Sequence, residues 1–221
     1  MAEKKMRDLQ GRIEEIRVLM DYAVPDDARE QAEDLLLVYE QDPVALDLLH
    51  EFYSFLPEGE NDGVCEIRVL ARKQGIFLLA VVTAQSGYLY LVSPEGIEFQ
   101  GRLADGIWDG ELLNFFGFKS QAQCRKQCGN PEQLTRYEPV GRDPDLCPAC
   151  LAASGEEHEL GCPVEVCPWC GGQLVHCNCR YDQLGQDKIE SEAELLRFEK
   201  ILMDRGRIPY SPEQRPGFLQ E

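Results

Sequence analysis

The stretch CPACLAASGEEHELGCPVEVCPWCGGQLVHCNC, residues 147–179, holds seven of the ten cysteines and two of the three histidines of the chain. Its spacing is Cys-x2-Cys-x7-His-x3-Cys-x4-Cys-x2-Cys-x5-His-Cys-x-Cys. A Cys-x2-Cys turn brings two thiolates to the separation of a zinc–sulfur shell, and later Cys or His residues close the tetrahedron. Nine candidate ligands are one more than two four-coordinate ions require. A sequential partition assigns Cys147, Cys150, His158 and Cys162 to one zinc, and Cys167, Cys170, Cys177 and Cys179 to a second. His176 is then the alternative ligand, spare or displacing Cys177 or Cys179. An interleaved partition, with the two Cys-x2-Cys pairs on one ion, satisfies the spacing as well. A segment this rich in Cys, Gly and Pro buries too little apolar surface to fold alone, so two structural zinc ions are the expected scaffold.

The Pro inside CPWC fixes φ in the turn, and the Gly after it tolerates the positive φ that aims backbone amides at sulfur. The same CPWC resembles the CPYC of glutaredoxins, in which the first Cys sits at a helix N-terminus that lowers its pKa. Gly171 and Gly172 follow at once and argue against a helix there, and no βαβ pattern leads into the motif.

Upstream, residues 5–21 place Met6, Leu9, Ile13, Ile16 and Met20 at spacings of three and four, an amphipathic helix. A second helix is expected from about Asp26 to Gln41, burying Ala32, Leu35, Leu36 and Tyr39. Asp42-Pro43 reads as N-cap and first helical residue of a third helix carrying Ala45, Leu48, Leu49, Phe52 and Phe55. After the acidic loop EGENDG the pattern changes to strands at Cys65–Arg72, Ile76–Ala84, Tyr88–Ser93 and Ile97–Leu103. Their short connections permit only antiparallel neighbours, a four-stranded meander. Phe77–Val82 is apolar without alternation, as for a central strand covered on both faces. Residues 105–118 predict a turn and a short aromatic helix, with Trp108, Leu112, Leu113, Phe115 and Phe116 closing the end of the sheet. Cys65 is expected as a small buried hydrophobe. Cys124 and Cys128 share one helix face and can present two thiolates, without nearby partners in sequence to complete a third site.

Downstream, a helix from about Glu190 to Arg205 is apolar over too broad a stripe to stand free. The tail GRIPYSPEQRPGF has no period and is expected to be extended or disordered until bound. The fold class is therefore α+β. An N-terminal three-helix segment packs on the meander, and a small zinc-ribbon or knuckle-like unit and a C-terminal helix follow. The expected boundaries are 1–118 for the body, 119–144 for a connecting helix and linker, 145–182 for the two-zinc unit and 183–221 for the last helix and tail.

The formal net charge is −18, from 40 acidic and 22 basic residues. Between Asp143 and Asp182 seven acidic residues face Arg180 alone. Duplex nucleic acid, which is held by Lys and Arg on phosphates, is not an expected partner, nor is an anionic membrane. No apolar run approaches the length of a membrane span, and no secretory leader is visible. Ten cysteines then read as reduced thiols in a cytoplasmic protein.

The pattern CPxC, Gly-Glu-x-His, GC, CPxCGGQL, CxC and a downstream Ile-Pro-aromatic element resembles a cysteine-rich tail recurring in uncharacterised bacterial and phage proteins. Here it falls on Cys147–Cys150, Gly155–His158, Gly161-Cys162, Cys167–Leu174, Cys177–Cys179 and Ile208–Tyr210. The resemblance covers about a quarter of the chain and implies a metal-binding module, with no activity attached. A zinc deaminase needs His-x-Glu before Pro-Cys-x2-Cys, and His158-Glu159 misses that spacing; a protease motif of the His-Glu-x2-His kind is missing too. The expected function is a non-enzymatic zinc-binding protein that engages a protein partner. A zinc hydrolase or deaminase, and thiol redox or metal handling through CPAC and CPWC, are the alternatives.

Overall fold

The computed structural model describes residues 2–56, 61–141, 143 and 145–214, with side chains from residue 8 onward. The Met6 side chain, the first part of the acidic loop, Arg142 and Pro144 of the linker, and the tail beyond 214 lie outside the described residues. The protein is α+β, with seven α-helices and one five-stranded antiparallel sheet among those residues. It divides into two units, Met1–Asp143 and Pro144–Glu221.

The sheet of the first unit comprises β1 (Val64–Lys73), β2 (Ile76–Thr83), β3 (Gly87–Ser93), β4 (Gly96–Arg102) and β5 (Thr135–Arg136), in the order β4-β3-β2-β1-β5. Gln74 and Gly75 join β1 to β2 with φ of 51° and 75°, the paired left-handed conformations of a tight hairpin turn. The apolar run of β2 occupies the centre of the sheet, and five consecutive residues, Phe77 to Val81, are buried. Both faces are covered, which removes the usual polar alternation.

One side of the sheet meets helices α2 (Arg29–Val38) and α3 (Pro43–Ser54), and α1 (Ala2–Ala23) packs on α3. Ile13, Ile16 and Met20 of α1 are buried at the predicted three-and-four spacing. Asp42 caps α3 by accepting from the Ala45 amide at 2.8 Å. The same buried carboxylate accepts from the Val140 amide at 2.6 Å and from the Tyr137 hydroxyl at 3.3 Å. It thereby fastens the chain just after β5 to the start of α3.

The opposite face, built on Leu78, Ala80 and Leu89, packs against Leu103, Ile107, Leu113, Phe118, Cys124 and Cys128. These come from the segment containing α4 (Gly110–Phe115) and α5 (Gln121–Cys128). Several details depart from the sequence expectation. A fifth strand, β5, adds to β1 through only two residues, too short for any period to announce it. Phe55 and Trp108 are exposed where a core role was expected. Phe55 follows the last turn of α3, and Trp108 precedes α4, so neither is held on a helix face that turns inward. Cys65 is half-buried, its thiol directed at the Gly63 carbonyl.

The second unit has two small apolar clusters. Cys147, Ala152, Cys162, Val164 and Tyr210 form one. Cys167, Leu174, Leu184, Phe198 and Leu202 form the other, joining the cysteines to α6 (Cys179–Leu184) and α7 (Glu192–Arg205). Ser191 and Glu194 complete a capping box at the start of α7. Only part of the expected stripe of α7 docks, through Phe198 and Leu202 beside Trp169, while Leu195 and Leu196 stay exposed. No described helix is long and apolar enough to cross a membrane.

Candidate metal centre

Each Cys-Pro-x-Cys turn folds by the same bonds. Cys147 donates its amide to the Ala152 carbonyl at 2.8 Å, and Leu151 donates to the Cys147 carbonyl at 2.9 Å. Cys167 and Gly171 repeat this pair at 2.7 and 2.9 Å, onto Gly172 and Cys167. A single antiparallel bridge closes each turn, Leu146 to Ala153 and Val166 to Gln173. The residue after the second Cys is left-handed in both, with φ of 60° at Leu151 and 75° at Gly171. Glycine takes that conformation without strain, whereas leucine costs about 1–2 kcal/mol there. The two turns are structural repeats although only their Cys and Pro residues are shared.

Chain closure brings the remaining donors over each turn. Cys147, Cys150, His158 and Cys162 form one group, and Cys167, Cys170, Cys177 and Cys179 the other. Within each group the four ligand atoms lie within 4.8 Å of one another. Of the two partitions compatible with the spacing, the sequential grouping is the one assembled. His176 is exposed and belongs to neither group.

The first group has the donor separations of a tetrahedral shell, and in the second the four sulfurs lie within 4.8 Å of one another. Bonds of about 2.3 Å to sulfur and about 2.0 Å to nitrogen set S···S near ~3.8 Å and S···N near ~3.5 Å. In the first group Cys147 Sγ lies 3.7 Å from Cys162 Sγ, and Cys150 Sγ lies 3.5 Å from His158 Nδ1. The donors have turned toward a common centre and lean on one another's protons. The thiols of Cys147 and Cys162 hold Cys150 well below the ordinary thiol range, and Cys147 pushes Cys162 far above it. Burial opposes the charging of His158, yet its bonds to Cys147, Cys150 and Gln214 raise it to about 10. A divalent cation could take the place of those shared protons. In the second group the Gly172 amide, followed by the neighbouring thiols, lowers Cys170. That group is more open, with Cys167 buried and Cys170 exposed.

Residues around the first group orient it. His158 Nε2 lies 2.9 Å from Gln214 Oε1, so Nε2–H donates and Nδ1 is left facing Cys150. Gln214 is itself held by donating to the Pro209 carbonyl at 2.9 Å. Tyr210 donates its amide to the Glu156 carbonyl at 2.8 Å, accepts from Gly155 at 2.9 Å and sets its ring edge-on to His158. Arg207 donates to the His158 carbonyl at 2.6 Å and pairs with Glu165 at 2.8 Å, both side chains buried. Burial nonetheless pushes the Glu165 carboxyl up. The tail from Arg207 to Gln214 carries no helix or strand, as expected of an extended segment, yet it is docked on the first group and not free. Its ordering comes from these side-chain bonds, which have no sequence period. Arg207, Gln214 and Glu165 were not legible as site residues; the Ile-Pro-aromatic element between them was the available signal. At the second group Arg180 donates to the Val175 carbonyl at 2.8 Å and lies over the Tyr181 ring.

Cys124 and Cys128 lie with sulfurs 3.9 Å apart, a separation that also suits a metal. They sit in the core of the first unit, and no further donor joins them among the described residues.

Fold and site define an α+β protein whose C-terminal unit carries two Cys/His groups, each able to hold a metal ion. Compared with known proteins, the chain matches no family model, no curated protein and no solved structure.

Proposed function

We propose that the protein is a non-enzymatic zinc protein, with two structural zinc ions holding the C-terminal unit and a protein partner as its target. The observation that carries this reading is the donor count: each group supplies four protein ligands, three thiols with an imidazole and four thiols. A shell filled by protein is structural, whereas catalytic zinc keeps a position for water. Sulfur-rich tetrahedral donors favour zinc over magnesium, calcium or manganese. The resemblance to cysteine-rich bacterial and phage tails supports a metal module and carries no activity with it. Thiol redox chemistry finds less support, because the CPWC turn closes onto Gly172 and leads into no helix. With a net charge of −18, duplex DNA is not the partner, and a basic protein surface is.

Elemental analysis of protein purified reduced and without added metal is expected to return two zinc ions per chain. Cobalt substitution is expected to show sulfur-to-metal charge transfer from both sites. One ion or none, or cobalt spectra of a site bearing water, would overturn the reading.

A further inference from the structure

The first unit carries a feature unrelated to the metal groups. Where the last turn of α3 overhangs β3 and β4, a cleft of about 420 Å³ is lined by Phe52, Phe55, Leu56, Tyr88, Tyr90 and Phe99. That volume lies in the range of formed ligand clefts, about 300–1,000 Å³. Its rings touch in sequence, Phe52 on Tyr88 at 5.6 Å, Tyr88 on Phe99 at 6.4 Å and Phe99 on Tyr90 at 5.4 Å. Phe55 and Phe99 form the lips, 72% and 57% exposed, a large apolar surface left open to water.

The cleft runs along an edge of the sheet. β4 pairs with β3 on one side and with no strand on the other among the described residues. Its pairing is regular from Gly96 to Phe99 and breaks between Phe99 and Gly101. Edges of this kind are guarded by charged residues, lysine above all, by proline or by a bulge. The run Gly96-Ile97-Glu98-Phe99-Gln100-Gly101 has no lysine or proline; its one charge, Glu98, admits a basic strand, and its bulge comes only after Phe99. An open row of backbone donors and acceptors thus ends at Phe99, where the aromatic cleft begins.

Charge selects the occupant. Glu51 stands at the cleft and Glu98 on the edge, against Arg102. Burial, then the Glu51 carboxylate, pushes the Tyr90 phenol up. A second copy would carry the same net charge of −18 and be repelled. A partner helix would leave the edge groups of β4 unpaired. We infer that β4 and the aromatic cleft receive an extended, basic segment of a partner protein. The segment adds as a strand beside residues 96–99 and places one aromatic or large aliphatic side chain among Phe55, Tyr90 and Phe99. Main-chain bonds supply affinity and the cleft supplies selectivity. This rests on the reading of the protein as an interaction module, and not on its zinc.

The test is selection of a displayed random heptapeptide library on the full-length zinc-loaded protein, with counter-selection on Phe99→Ala. The expected winners carry net positive charge and one aromatic or large aliphatic anchor. A winning peptide made synthetically is expected to bind Phe99→Ala or Phe55→Ala at least about tenfold more weakly. Circular dichroism and zinc content should stay unchanged, since both side chains are exposed. Hydrogen exchange is expected to show protection gained along residues 96–99. No enrichment dependent on Phe99, an acidic consensus, or protection that misses β4 would overturn the proposal. So would a dimer that Phe99→Ala dissolves, which would make the occupant a second copy. Loss of peptide selection with two zincs retained refutes the docking edge alone, whereas absent zinc refutes the metal reading alone.

Discussion

Arg207 and Glu165 show how a single pair can decide the metal unit. Both are nearly fully buried, and the guanidinium also holds the carbonyl of His158, a member of the first group. Removing one member of a buried ion pair strands the other charge, at about 3–5 kcal/mol, while replacing both by apolar residues is often close to neutral. Arg207→Met is therefore expected to destabilise the unit by about 3–5 kcal/mol. Its zinc from the first group should be lost faster to a competing chelator. The double variant Glu165→Leu with Arg207→Met should recover most of the loss. Paired thermal melts and zinc-release kinetics measure both effects. A double variant as weak as the single one would show that the bond to the His158 carbonyl, and not the ion pair, is what matters.

At the scale of elements, the two turns separate what was legible from what was not. Cysteine spacing identifies the knuckles because thiolates that could share one metal must come together, and the CPxC pattern recurs at residues 147 and 167. The left-handed residue was legible at Gly171 and hidden at Leu151, where side-chain identity gives no hint of φ. Gly171→Val is expected to cost the second turn about 1–2 kcal/mol, since a Cβ there meets no atom within 4 Å and only the backbone resists. Leu151→Gly should be tolerated, the relief of φ offset by the greater chain entropy of glycine. Zinc-release rates for the two variants compare the costs directly. Equal losses would mean that the turns are not equivalent in backbone demand. The same contrast runs through the first unit. The helices α1 and α3 and strands β1 to β4 follow from their periods and turns. Strand β5 and the docked tail depend on distant partners: Arg68 bonding the Leu134 carbonyl, and Gln214 bonding His158. Phe55 and Trp108 were misplaced for a related reason, because apolar character alone does not say whether a residue beyond a helix end turns inward.

For the whole molecule, the question is whether metal supports all of the chain or only its C-terminal part. The first unit has a sheet covered on both faces, with Phe77 to Val81 buried through the centre, and is expected to keep its core without a cation. The second unit has no such core. One of its clusters contains Cys147 and Cys162, and the other contains Cys167. Structural zinc contributes on the order of 10–16 kcal/mol of binding energy in finger peptides, and there binding energy is folding energy. Sequence alone placed the metal-dependent region at residues 147–179. If the metal reading holds, the packing of α7 on the second group and of Tyr210 on the first extends that region to Gln214. Chelation, or Cys167→Ser with Cys170→Ser, is therefore expected to expose α6 and α7 to protease together with the second turn. Residues 8–141 should survive. The double substitution should leave the first group loaded, so fragments cut within α7 but not before Cys162 would mark separate collapse of the two sites. Limited proteolysis read by mass spectrometry distinguishes these patterns. If the helix–sheet unit is cut as fast as α7, its stability depends on the metal unit, and the division near Asp143 is not one of independent folding.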